Sequence, residues 1–364
     1  MFGRSNPWVL VIGTLALSLA IAGCGSAQTP PSSPQPAKAA TVAPGAAAPT
    51  AAPAAVATAP AGKTVNFPEK GKTISILVGF AAGGSTDVGV RLLAPPLEKE
   101  LGTSVEIVNK PGAGGQLAWT QLAESKPDGY TLGVTQFPSI QSEYLDPNRK
   151  ANFNESSFEP IAMEVVDPGV LAVKADSKFK TLKDLIDAAK AHPMTLSFGT
   201  AGLGSNTHFA ALLLAKAAGF QVKYVHFDGV APEMTALLGN HVDVYSGSVG
   251  DTTAQMKAGQ IRILAVFDHQ RDAAFMPDVP TAEELGYKVY MSSSRAISAP
   301  AKTPKAIVDL LSSAIGKAMK DPEFQQKMAQ QGLTLHYMDA AETAQNWQEF
   351  DTTVKPLMSL LNVH

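Results

Sequence analysis

Ile76-Leu77-Val78-Gly79-Phe80-Ala81-Ala82-Gly83-Gly84-Ser85-Thr86-Asp87 passes from a short apolar run through paired glycines into a polar segment. On the apolar side, residues 73–78 are rich in β-branched side chains and closed by glycine, which predicts a buried strand. Beyond Ser85, the apolar residues Val88, Leu92, Leu93 and Leu97 share one helical face, and Ser85 suits the N-cap. Strand, glycine loop and helix in that order open a βαβ unit. The alternation continues with a strand at 104–108, a helix over 115–123 and a strand at 130–134. It predicts a parallel sheet covered by helices on both faces.

A second set of elements begins near Val170. Strands are expected at 171–173, 195–198, 222–225, 242–244 and 261–266, and helices at 182–191, 205–219 and 232–239. After Pro300 come helical stretches at 304–319, 322–330 and 341–361. Two α/β units with a helical tail agree with a length of 364 residues, since domains run to about 100–200 residues each. In the second unit, Gly199-Thr200-Ala201-Gly202-Leu203-Gly204-Ser205-Asn206-Thr207-His208 repeats the setting of the first glycine loop. Helix N-termini carry unpaired N–H groups and partial positive charge, so each loop can receive a carboxylate or phosphate. Neither is a dinucleotide or Walker loop. Tight turns alone would also account for the glycines, so from the loops themselves both readings stand.

Composition narrows the classes. A formal charge of −3 lacks the basic footprint of a nucleic-acid binder. A single cysteine excludes a disulfide framework or a CxxC site. Seven histidines without a ligating spacing argue against zinc. At the amino end, Arg4 precedes an apolar run from Trp8 to Ala22, short of the roughly 20 residues a membrane span needs, so residues 1–23 read as a secretory signal. Its end, Ile21-Ala22-Gly23-Cys24, resembles the bacterial lipobox, in which cleavage before the cysteine exposes a thiol for lipid attachment. Residues 24–64 are almost entirely Ala, Pro, Ser, Thr and Gln, a composition that cannot offset its ordering entropy and reads as a disordered tether.

Longer motifs carry a wider resemblance. The first glycine loop is followed by Val108-Asn109-Lys110-Pro111-Gly112-Ala113-Gly114-Gly115 and Lys126-Pro127-Asp128-Gly129-Tyr130-Thr131-Leu132-Gly133. Then come Gly202 to His208, Leu237-Leu238-Gly239-Asn240-His241-Val242-Asp243 and Pro277-Asp278-Val279-Pro280-Thr281, with Ala299-Pro300-Ala301-Lys302-Thr303-Pro304 near the end. In this order, over about residues 66–350, the chain resembles the tripartite tricarboxylate transporter receptors, also called Bug or TctC-type proteins. The resemblance implies an α/β fold of the type II periplasmic-binding-protein kind, two α/β domains with a ligand cleft between them. Domain 1 would comprise residues 65–170 plus 296–364, and domain 2 residues 171–295. Members bind small organic acids, deliver them to a membrane permease, catalyse nothing and need no cofactor. The implied protein is a monomeric extracytoplasmic lipoprotein held to the membrane through Cys24, on the periplasmic face where an outer membrane exists.

Carried over residue by residue, the resemblance places Phe80, Ala81, Ala82, Gly83 and Asp87 of the first loop at the ligand, largely through backbone. Asp87 reads from its position in the first helical turn as a structural neighbour of the ligand. Gln136 and Ser139 follow the third strand, and the second loop supplies Thr200, Ala201, Gly204, Ser205, Asn206 and His208. A third segment gives Phe227, Asp228, Gly229 and Ala231, with Asp228 standing where the family commonly has lysine, so it is no cationic anchor. Asp243 follows the family pattern at the cleft border. Arg295 stands where many relatives have an aromatic residue, and its guanidinium could grip a carboxylate in bidentate fashion or serve as an interdomain salt bridge. Two other functions compete: a ligand-sensing co-receptor for a membrane kinase, and a secreted hydrolase. The second is weak because Ser248, in Ser246-Gly247-Ser248-Val249-Gly250, lacks the first glycine of GxSxG.

Overall fold

The computed structural model describes residues 66–362. The expected signal (residues 1–23), the lipobox with Cys24 and the tether (24–64) lie outside the described residues. In the first half, β1 (Ile74–Val78), α1 (Ser85–Leu101), β2 (Val105–Asn109), α2 (Gln116–Ala123), β3 (Thr131–Phe137) and α3 (Ser139–Leu145) follow one another. β1 pairs in parallel with β2 and β3. Helices on its faces explain why β1 is apolar nearly throughout. Ile74, Ile76 and Val78 pack in one core with Val90, Leu93 and Leu97 of α1. Leu77 points the other way, into a cluster with Trp119, Phe137 and Trp347.

β4 (Phe158–Lys174) is a 17-residue strand, longer than the expected 171–173. The second half then runs α4 (Leu182–Ala191), β5 (Ser197–Thr200), α5 (Asn206–Ala218), β6 (Lys223–His226), α6 (Val230–Leu238), β7 (Val244–Ser248), α7 (Val249–Lys257) and β8 (Ile261–Phe267). β9 (Ser292–Pro300) returns to the first half, followed by α8 (Lys305–Ala318), α9 (Pro322–Gln330), β10 (Leu335–Met338) and α10 (Ala340–Val354). The last helix ends at Val354 and passes into a 3₁₀ segment, Lys355–Asn362, rather than continuing to 361.

Strand order is β2-β1-β3-β9-β4-β7-β5-β6, with β8 and β10 also paired to β4. The expectation of parallel sheets holds within β1-β2-β3 and β7-β5-β6. It does not hold at the centre, where β9 is antiparallel to β3 and β4, and β8 is antiparallel to β4. β4 belongs to both halves. Its residues 158–168 pair with β9, and from Gly169 onward it pairs with β7 and β8. At that change of partner Gly169 donates its N–H to the Met291 carbonyl at 2.8 Å. A Cβ there would lie 2.8 Å from the same oxygen, so only glycine lets the two crossing strands approach. Two strands thus link the halves, and the carboxyl ends of β1, β3, β5 and β7 face one another where they meet, the usual ligand position in open α/β sheets.

Candidate functional site

The first glycine loop is held from within its own half. Asp87 accepts the Gly83 N–H at 2.9 Å, and its other oxygen accepts Arg91 Nε and Asn109 Nδ2, each at 2.9 Å. Burial pushes the Asp87 carboxyl up, but these donors outweigh it and hold the group below the usual carboxylate range. The N-cap of α1 is Gly84 rather than the expected Ser85, and no side chain caps it. Ser85 is the first helical residue. Its hydroxyl accepts Arg295 Nη2 at 2.7 Å, and its N–H points at Asp251 Oδ1, 3.3 Å away.

The second loop caps itself. Ser205 is the N-cap of α5, its hydroxyl accepting the His208 N–H at 3.2 Å, while His208 Nδ1 accepts the Gly204 N–H at 3.1 Å. Ala201 N–H donates to Thr207 Oγ1 at 2.8 Å, and Thr200 Oγ1 lies 2.7 Å from His226 Nδ1. A polar chain then crosses between halves: Thr86 Oγ1 donates to Gln136 Oε1 (3.0 Å) and Gln136 Nε2 to Asn206 Oδ1 (2.9 Å). Asn206 N–H donates to Ser139 Oγ at 3.1 Å. The third segment closes the far side, where Ala81 N–H donates to the Asp228 carbonyl at 2.9 Å.

Between these loops lies a cavity of about 10 Å³, lined among others by Phe80, Ser85, Gln136, Asn206, Asp251 and Arg295. That is room for about one water. Of the residues expected at the ligand, Phe80, Ala81, Gln136, Ala201, Asn206 and Arg295 line this cavity. Gly83, Asp87, Gly204, Ser205 and His208 shape the loops around it, Ser139 supports Asn206, and Thr200 sits beside His226. Asp228 and Gly229 approach Ala81 through backbone, and the Asp228 side chain is exposed, as is Ala82. Phe227 packs beside the core of the second half, and Ala231 borders an adjoining groove with Gly83 and Gly84. Asp243 is not brought to the cleft. It accepts the N–H and hydroxyl of Ser197 (2.8 and 2.7 Å), at the start of β5 rather than at its carboxyl end.

Arg295 is 2% exposed and is the only buried Lys or Arg among the described residues. Its Nη2 donates to Asp167 Oδ2 at 2.9 Å, while Nε and Nη1 find no hydrogen-bond partner among the described residues. Arg295 is therefore a crossing-strand salt bridge with two donors still unspent. Asp167 also accepts the Ser248 hydroxyl at 2.6 Å and the Gly250 N–H at 3.1 Å. Burial pushes the Asp167 carboxyl up to about 6 against the pull of Arg295, and lifts the nearby Glu164 to about 7. Sequence reasoning passed over Asp167 and Asp251. The second had a visible signal, since Ser248-x-x-Asp251 is a capping box that starts α7.

Residues 90–363 match the model of the tripartite tricarboxylate transporter family receptor. The chain belongs to this family. A Cupriavidus necator protein from the gbd 5' region is 35% identical over 287 residues, covering 77% of this chain and 84% of that protein. BugT of Bordetella pertussis is 31% identical over 275 residues, 72% of this chain and 81% of BugT. Among solved structures, the periplasmic binding protein BugD superposes with a TM-score of 0.75 at 29% identity, over 82% of this chain and 99% of BugD. MatC from Rhodopseudomonas palustris, solved with bound malate, gives 0.75 at 27% identity over 79% and 99%. The type II binding-protein fold with its cleft is thus that of the TctC receptors, and the glycine loops and Arg295 sit where its two halves meet.

Proposed function

We propose that this TctC-family chain is an extracytoplasmic receptor that captures a small organic acid in the cleft and delivers it to a tripartite-type membrane permease. The observation that carries the reading is the pair of unspent Arg295 donors, buried beside the N-termini of α1 and α5. A buried cation with free donors is costly unless an acceptor arrives, and a carboxylate is the acceptor its fork fits. MatC supports the same chemistry, since it was solved holding malate. The cleft in its present form has room for about one water, so capture requires the halves to part. The moving bodies are residues 65–170 plus 296–364 and residues 171–295, swinging about β4 and β9, a hinge closure on ligand. Membrane attachment through lipidated Cys24 completes the proposal.

Binding is favoured over hydrolysis by the setting of Ser248. Its hydroxyl lies on the carboxylates of Asp167 and Asp251, with no imidazole in the hydrogen bonds it makes. Purified protein, unfolded and refolded to strip endogenous ligand, is to be screened by thermal shift against mono-, di- and tricarboxylates. A ligand at 100 times its Kd stabilises by about 2.7 kcal/mol. A carboxylate hit that disappears in Arg295→Ala is the expected result. Silence from well-folded protein across the panel would refute the receptor reading.

A further inference from the structure

Ser248 Oγ lies 2.6 Å from Asp167 Oδ2 and 2.7 Å from Asp251 Oδ2. A hydroxyl owns one hydrogen, so it can donate to only one of two ionised carboxylates. The second short contact would then set an oxygen lone pair against another, unless that carboxyl carries a proton and donates to Ser248. Both short contacts are hydrogen bonds only when the bridge holds one proton more than two ionised aspartates and a serine hold. Charge counting around it agrees. The charged and titratable groups are Glu164 and Asp167 of β4, Arg295 of β9, Glu233 of α6, Tyr245 of β7 and Asp251 of α7. The network counts four carboxyls against one guanidinium, of which Asp167 contacts the guanidinium directly.

The two anion-accepting positions in the cleft are also already spoken for. Asp167 occupies one corner of the Arg295 fork, and Asp251 lies on the first N–H of α1. An incoming carboxylate adds negative charge to this set, and what remains open to it are Arg295 Nε and Nη1, both buried and without a partner among the described residues.

We infer that Asp167 and Asp251 determine what the cleft accepts: the organic acid is captured together with one proton, held on the Asp167–Ser248–Asp251 bridge. This rests on the receptor function proposed above. Asp167 spans the hinge on β4, Ser248 and Asp251 belong to the second half, and Ser85 to the first. Gly169 pairs with Ser248 in the sheet and Ser248 shares a capping box with Asp251, so Asp167, Ser248 and Asp251 stay together, and closing on the ligand brings Ser85 to them and removes water. The proton comes from solvent and no bond other than O–H is made. The cleft selects by charge as well as by shape, because a ligand that cannot be accompanied by a proton leaves an uncompensated anion in a dry site. Carboxyl groups kept above their ordinary range by burial fit this direction.

Titration calorimetry on the full chain with malate, succinate and citrate, in phosphate and in Tris at the same pH, tests the inference. The difference in apparent enthalpy between the buffers counts protons exchanged. Uptake close to one proton per ligand at pH 7.5 is expected, with Kd weakening by close to tenfold per pH unit from pH 7 to 8. Asp251→Asn takes one carboxyl out of the bridge, so uptake and the pH slope both fall towards zero. Binding by wild-type protein with no proton exchanged overturns the inference and leaves the receptor reading standing. Where none of the three acids binds, the calorimetry is run on the carboxylate that the thermal-shift panel returns, and silence across that whole panel overturns both. Should Asp251→Asn fail to fold, the wild-type proton count still decides.

Discussion

Arg295 and Asp167 form a buried ion pair, with side-chain exposures of 2% and 1%, and what either contributes depends on the other. Removing one partner of a buried pair strands the remaining charge, at about 3–5 kcal/mol. Arg295→Met is therefore expected to lower unfolding stability in urea by roughly that amount at pH 8. Replacing both, in Arg295→Met with Asp167→Leu, should recover much of the loss while ligand binding stays abolished. A double variant as unstable as the single one would show that the pair is not coupled. Asp87 works in the opposite sense. Its folded carboxyl sits below its ordinary value of 3.8, so its contribution is complete above that value and is lost as pH falls through the folded one. Asp87→Asn should be less stable than wild type at pH 7, and the gap should close in urea titrations below about pH 4. A gap that persists into acid would mean that Asp87 acts by shape rather than charge.

Elements around the cleft separate folding from closure. Ser205 caps α5 with its side chain, so Ser205→Ala should cost about 1 kcal/mol of stability, read from the urea midpoint. Gly84 also heads a helix, but it caps without a side chain and its backbone (φ −77°, ψ 164°) is open to any residue. A Cβ there would meet Val230 Cγ2 of the second half at 2.8 Å. Gly84→Ala should therefore leave the urea midpoint nearly unchanged and weaken ligand affinity, about fivefold or more if closure must absorb 1 kcal/mol of overpacking. These two helices were legible from sequence because apolar runs end there in glycine and serine, and the same signal marked β1 and β5. The strand that holds Arg295 was hidden by its own composition. Ser292-Ser293-Ser294-Arg295 looks like loop, yet β9 is buried along nearly its whole length and some of its polar groups are met by tertiary neighbours, as where Ser298 Oγ lies 2.8 Å from Thr135 Oγ1. α7 was missed for a related reason, since Val249-Gly250-Asp251-Thr252-Thr253 has little helix propensity. Asp167 gave no local sign at all, because only the meeting of β4, β7 and β9 makes it part of a cleft.

Taken over the whole molecule, burial of the β4 acids Glu164 and Asp167 costs stability at neutral pH. Glu164 is fully buried with a carboxyl pushed up to about 7, and Asp167 to about 6, each by burial that Arg295 only partly offsets. A folded carboxyl raised above its unfolded value binds its proton more tightly in the folded state. Its stabilising effect is therefore complete in acid and is lost as pH rises from the unfolded value through the folded one. For Glu164 that window runs from 4.5 to about 7, and the loss is on the order of 3 kcal/mol at 1.36 kcal/mol per unit. Glu164→Gln, neutral at every pH, should be more stable than wild type at pH 8 and differ little at pH 4.5. A wild-type advantage at pH 8 would mean that Glu164 has an ionic partner in solution. Closure obeys the same arithmetic, because parting the halves at β4 and β9 lets water back to Asp167 and Asp251. Without ligand, small-angle scattering should give a larger radius of gyration at pH 8 than at pH 5.5, and saturating ligand should remove the difference. A radius that ignores both pH and ligand would leave the halves as one rigid body and the cleft without a way in.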